Sequence, residues 1–123
     1  MAFDLFYPLY YSKVDMKQGW QNENTEALIG ALLSLKTRDR ARRFLRDLLT
    51  EAEIMEFGSR WRAANLLDKK VSYLEIANQT GLSSRTIARI SRWLKKGMGG
   101  YRTMIGRTHQ HAHISSSVGS GMR

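Results

Sequence analysis

The side chains best placed to do chemistry in this sequence are four cations, Arg85, Arg89, Arg92 and Lys96. At 100° per residue they fall within about 60° of one another on a helix, while Ile87, Ile90 and Leu94 take the opposite side. Such a helix packs with one face and offers charge with the other. A guanidinium fork fits a guanine edge bidentately, a contact worth about 1–3 kcal/mol of discrimination between bases, and it also fits phosphate oxygens. The chemistry on offer is therefore recognition of a polyanion. The competing reading is an ordinary amphipathic helix with a solvated charged face. Against it, the basic face carries no Asp or Glu to balance it.

A helix-turn-helix over residues 72–96 would position these cations. Ser72 with Glu75 three residues on predicts a capping box and a helix from about Tyr73, with Leu74, Ile76 and Ala77 buried. Gly81 predicts its end, since glycine adopts a positive φ without a Cβ penalty. Thr80-Gly81-Leu82 then reads as a tight turn, and Ser83 or Ser84 caps the second helix. Within that second helix, Ser83, Ser84, Arg85, Ala88, Arg89 and Arg92 hold the positions from which the motif meets DNA. Arg85 is the candidate for a base edge and Ser84 or Thr86 for a base or phosphate, while phosphate contact or simple solvation of Arg85 stays open. Arg92, Lys95 and Lys96 read as backbone clamps, which fix register without carrying sequence information. Lys69 and Lys70 are either further clamps or solvated turn lysines.

The chain has 123 residues, enough for one domain, and 42% of them are hydrophobic. Its formal charge is +9. Residues 1–30 sum to −2 and residues 58–107 to +9, so the basic half is the motif half. A double-stranded DNA partner fits, because each neutralised phosphate releases counterions. With no cysteine there is no disulfide, thiolate nucleophile or zinc ribbon, which suits a reducing cytoplasm, the expected location. No apolar run reaches the roughly 18 residues of a membrane span, so no membrane partner is expected. Paired carboxylates in a cleft, a core histidine and a phosphate-binding glycine loop are all missing, and an enzyme is not expected.

Three further helices are predicted before the motif, and no strand pattern occurs; the fold class is all-α. An N-terminal arm and loop occupies residues 1–23. Asn24 or Thr25 caps a helix bearing Leu28, Leu32 and Leu33, and Thr37 caps another through Leu48 or Leu49 with Ala41, Phe44, Leu45 and Leu48 on one side. Thr50 and Glu53 form a capping box opening a helix through about Leu67, whose Ile54, Phe57, Trp61 and Ala64 make a core stripe. That stripe argues against base stacking by Trp61, and no aromatic cluster in a basic groove can be inferred from Trp20 or Trp93. Residues 68–71 form a polar turn. A short helix is expected over 101–105, closing a helical domain of residues 24–107, and a disordered tail over 108–123. The tail's His109, His111 and His113 have no carboxylate or cysteine beside them, so no metal site is assigned.

Residues 48–97 resemble the Trp repressor family. The resemblance rests on Leu49-Thr50-x-x-Glu53, the Gly58-Ser59-Arg60 step, and the run from Ser72-x-x-Glu75 through Gly81 to Thr86-Ile87-x-Arg89. It implies an all-helical, intertwined homodimer whose amino-terminal helices interlock and whose two helix-turn-helix heads enter successive major grooves, about 34–36 Å apart. The family's founding member holds tryptophan between two arginines that match Arg60 and Arg89 here. Glycine follows the second arginine there, whereas this chain has Ile90, and a small polar ligand contact is replaced by Trp93. The resemblance thus implies a branch with the fold and a vestigial pocket of Arg60, Arg89, Ile90 and Trp93, without a tryptophan co-repressor or other cofactor. Two other readings remain at this point: a module for protein assembly or non-specific nucleic-acid coating, and the DNA-end-binding fragment of a transposase.

Overall fold

Every regular element among residues 19–109, which the computed structural model describes, is a helix. In chain order these are α1 (Glu23–Leu33), α2 (Arg38–Leu48), α3 (Glu51–Asp68), α4 (Tyr73–Thr80) and α5 (Ser84–Lys96), followed by α6 over residues 100–109. The chain divides into two compact units, one ending at Leu49 and one beginning at Thr50. The division falls within the stretch 24–107 that the sequence suggests as one domain. The arm before residue 19 and the tail after residue 109, with His111 and His113, lie outside the described residues.

In the first unit, α1 begins earlier than its sequence suggests. Asn22, and neither Asn24 nor Thr25, is the cap: its side chain accepts from the Thr25 amide, and the Thr25 hydroxyl accepts from the Asn22 amide, both at 3.0 Å. A threonine at the third position serves the reciprocal role usually given to Glu, which is why a search for Ser-x-x-Glu passes over it. α2 starts where expected, with Thr37 accepting from the Arg40 amide. Neither helix has a buried residue, and Leu33 is 80% exposed.

The second unit holds the core. Ala63 and Ala64 on α3 are fully buried and bring its backbone close to Ile76 of α4 and to Ile87 and Ile90 of α5, with Ile105 of α6 completing the cluster. Small residues at the crossing permit this approach. Trp61 stacks on Tyr101 with ring centroids 6.4 Å apart, joining α3 to α6. Only the carboxyl-terminal half of the predicted α3 stripe is core: Ala64 is buried, Trp61 packs at its edge, and Phe57 is half exposed. Leu74 is a further departure, at 75% exposed. Helix α4 has only two turns, so its single buried row runs through Ile76, with Ala77 packed beside it, and position 74 points away.

Capping chemistry sets the boundaries in this unit. Thr50 and Glu53 form both halves of their capping box. Ser72 accepts from the Glu75 amide, but Glu75 does not return the bond; its carboxylate instead accepts from Gln79 at 2.9 Å. Gln79 in turn accepts from Arg62 at 2.9 Å, so the missing half of the box is spent tying α4 to α3. Where α3 ends, the Lys70 amide donates to the Leu67 carbonyl and the Val71 amide to the Leu66 carbonyl, the paired bonds of a Schellman motif. Its left-handed position is taken by Lys70 at φ 64°, the one non-glycine residue with positive φ among those described. Finally, α6 runs through residue 109 and so extends two residues into the expected tail.

Candidate nucleic-acid interface

The local geometry of α4, turn and α5 follows from three residues. Gly81 takes φ 75° and donates its amide to the Ala77 carbonyl, closing α4. Thr80 then bridges the corner, its hydroxyl donating to the Ile76 carbonyl at 2.7 Å and accepting from the Leu82 amide at 3.2 Å. Ser83, of the two candidate serines, is the cap: it accepts from the Thr86 amide at 3.2 Å, with the Thr86 hydroxyl 3.1 Å away. Ser84 is therefore the first helical residue. Ile87 and Ile90 hold α5 against α3 and α4 from the inner side.

On the outer side Ser84, Arg85, Ala88, Arg89, Arg92, Lys95 and Lys96 are all exposed, and Thr86 is partly so. Lys69 and Lys70 are exposed at the turn before α4. The structure thus brings the cations of α5 onto one helix, as their spacing requires. Among the described residues none of Arg85, Arg89, Arg92, Lys95 or Lys96 has an ion-pair partner. Two arginines elsewhere are paired, Arg43 with Asp39 at 3.1 Å and Arg60 with Glu56 at 3.0 Å.

The amino terminus of α5 also differs from those of α1 to α4. Helices α1, α2, α3 and α4 each carry an acid in the first turn, whereas α5 carries none and has Arg85 there instead. A cation at the positive end of a helix dipole is unfavourable by about 0.3–1 kcal/mol. An external anion arriving at that end would reverse the balance.

Arg102 is a contributor that sequence reasoning missed. Its Nε donates to the Leu94 carbonyl at 2.9 Å and its Nη2 to the Lys95 carbonyl at 3.3 Å, so α6 adds to the Gly97 cap by satisfying two last-turn carbonyls of α5. The only sequence signal would have been an arginine soon after the Gly97–Gly100 elbow, and that is too weak to act on. Gly99, at φ 84°, makes the elbow that returns Arg102 to α5.

The residues matched to a ligand pocket separate into two environments. Ile90 is 3% exposed and sits in the core. Trp93 is 52% exposed and does not join Ile90 there, because it projects from the solvent side of α5. Arg60 pairs with Glu56, lies 5.8 Å from the Phe57 ring centroid, and keeps a buried Nε without a hydrogen-bond partner.

The described residues thus form an all-helical protein with a helix-turn-helix whose second helix carries exposed cations without an ion-pair partner among those residues. The family model described as Trp repressor protein matches residues 23–109, and the chain belongs to that family. It is 32% identical over 97 residues to the uncharacterized protein YerC of Bacillus subtilis, covering 79% of this chain and 93% of that one. A solved TrpR-like protein from Eubacterium eligens superimposes with a TM-score of 0.70 at 37% identity, covering 73% of this chain and 93% of that one. A Staphylococcus aureus structure gives a TM-score of 0.68 at 28% identity, covering 72% of this chain and 89% of that one. Among the described residues no helix is long and apolar enough to cross a membrane.

Proposed function

We propose that this protein is a sequence-specific, double-stranded-DNA-binding transcriptional regulator of the repressor type that works in the cytoplasm as a homodimer and inserts α5 into the major groove. The observation that carries the reading is the acid-free amino terminus of α5, where Arg85 stands on a helix whose five exposed cations have no ion-pair partner among the described residues. Five unneutralised charges on one helix, four of them within about 60° of one another, cost stability unless a polyanion meets them. Arg85, Ser84 and Thr86 face base edges or the nearest phosphates, Ala88 and Arg89 lie further along the groove, and Arg92, Lys95 and Lys96 grip the backbone. Lys69 and Lys70 flank the first helix of the motif.

The dimer is supported by apolar side chains that the single chain leaves in water. Leu33 and Met55 are 80% and 73% exposed, and Ile29, Leu32 and Phe57 are also exposed. Association of two chains would cover such side chains in each unit. Tryptophan is not the co-repressor in this reading: Ile90 occupies core volume, and Arg60 is already engaged by Glu56 and Phe57.

Selection of bound DNA from a random library, followed by gel shifts at several salt concentrations, tests the proposal. The expected product is a near-palindromic site. Arg85→Ala relaxes preference at one base position by about 1–3 kcal/mol, and Lys96→Ala weakens all sequences alike and reduces the salt slope by about one. A selection that enriches nothing would sink the reading in favour of sequence-indifferent coating.

A further inference from the structure

A half-open cleft of about 590 Å³ lies among the end of α3, the start of α4, the middle of α5, and α6. Leu67, Val71, Leu94 and Ile105 supply its apolar wall. Lys70, Lys95 and Arg102 bring three cations to it against one acid, Asp68. Its volume falls in the range of roughly 300–1,000 Å³ that small organic ligands occupy, and an apolar wall with a few convergent polar groups is how such sites are built.

Three observations give the cleft a polar focus. Ser91 lines it and brings a hydroxyl to it from a residue that is only 5% exposed. Arg102 commits Nε and Nη2 to the carbonyls of Leu94 and Lys95, which fixes the guanidinium and leaves Nη1 uncommitted. Lys70 holds the left-handed conformation at φ 64°, a strained backbone that sets a lysine where glycine would be easier. Neither Arg60 nor Arg89 belongs to the cleft. Arg89 stands about 160° around α5 from Ser91, so this is not the arginine pair matched to the tryptophan site.

We infer that the cleft binds a small organic anion. Its oxyanion head lies among Lys70, Lys95, Arg102 and the Ser91 hydroxyl, and its aliphatic or aromatic body lies against Leu67, Val71, Leu94 and Ile105. Occupancy bears directly on α5, which ties the ligand to the helix that carries Arg85. A DNA phosphate could satisfy the cations but has no apolar body to cover the wall, and this difference makes the two separable.

The test is a titration of the full chain, without DNA, followed by ¹⁵N NMR with phenyl phosphate, benzoate, inorganic phosphate and benzyl alcohol. Phenyl phosphate or benzoate is expected to saturate, with the largest shifts at the amides of Val71, Ser91, Arg102 and Ile105, and the stronger of the two identifies the head group. Inorganic phosphate and benzyl alcohol, each lacking one half of the recognised chemistry, are expected to bind at least tenfold more weakly. Gly106 also lines the cleft, and a Cβ built there meets nothing within 4 Å, so the side chain of Gly106→Leu starts in open space. It is expected to weaken binding at least tenfold with no fall in melting temperature. Should that variant melt lower, Ser91→Ala decides, with a loss of threefold or more expected. Unsaturable shifts, inorganic phosphate binding as tightly as phenyl phosphate, or unchanged affinity in the deciding variant would each overturn the inference. No DNA is present, so failure of the DNA-binding reading leaves this result untouched.

Discussion

Replacing Lys70 with glycine is expected to make the protein more stable, although it removes a charge and a side chain. Lys70 occupies the left-handed position of the Schellman motif that ends α3, at φ 64°, with both backbone bonds of the motif formed at 3.0 Å. A Cβ in that conformation costs roughly 1–2 kcal/mol. Glycine removes the penalty but adds freedom to the unfolded chain, which offsets about 0.4–1 kcal/mol. The net gain is about 0.8 kcal/mol at the middle of these ranges, or roughly 3–6 °C in melting temperature. Lys70→Ala is the control, since it removes the same cation but keeps the Cβ and therefore the strain. Urea denaturation at fixed protein concentration measures the difference, with the midpoint of Lys70→Gly above wild type, Lys70→Ala not above it, and the slope unchanged in both. Equal midpoints for the glycine and alanine variants would refute the claim that backbone strain resides at this residue.

Arg102→Met retains the side chain's bulk but frees the carbonyls of Leu94 and Lys95, so faster amide exchange in the last turn of α5 and a loss of order 1 kcal/mol are expected by hydrogen exchange and denaturation. The Thr50 backbone and side chain hydrogen-bond the Glu53 carboxylate and hold its pKa below the ordinary 4.5. A carboxyl group depressed in the folded state contributes stability that is present above its unfolded pKa and lost as pH falls from about 4.5 through the folded value. Thr50→Val removes the hydroxyl but keeps the backbone amide, the larger cause, so a small upward move of the Glu53 carboxyl titration, followed by NMR, is expected; an unmoved titration would remove the hydroxyl as a cause and leave the amide alone.

Much of this architecture was legible in the sequence because its signals are local. Caps at Thr37, Thr50 and Ser72, the glycine at position 81 and the 3.6-residue spacing of Ile87, Ile90 and Leu94 depend only on neighbours within a few residues, and α2 to α5 begin where those signals put them. The basic face of α5 was equally readable, since periodicity alone assigns Arg85, Arg89, Arg92 and Lys96 to one side. Where local rules allow two outcomes, tertiary contacts chose. Glu75 abandoned its half of the capping box because Gln79, held by Arg62 of α3, offered it another donor. Leu74 stayed in water because two turns of α4 bury only one row against α3 and α5.

The cleft was invisible in the sequence because its walls come from four helices and the turn between two of them, and no spacing rule spans Leu67 to Ile105. Arg102 likewise reached the last-turn carbonyls of α5 only once Gly99 turned the chain back. The sequence by itself determined which segments are helical and which face of α5 is charged, because hydrogen bonding and side-chain period act over a single turn. Only the tertiary structure decided which apolar residues are buried and which polar groups converge, because those depend on packing between segments distant in the chain.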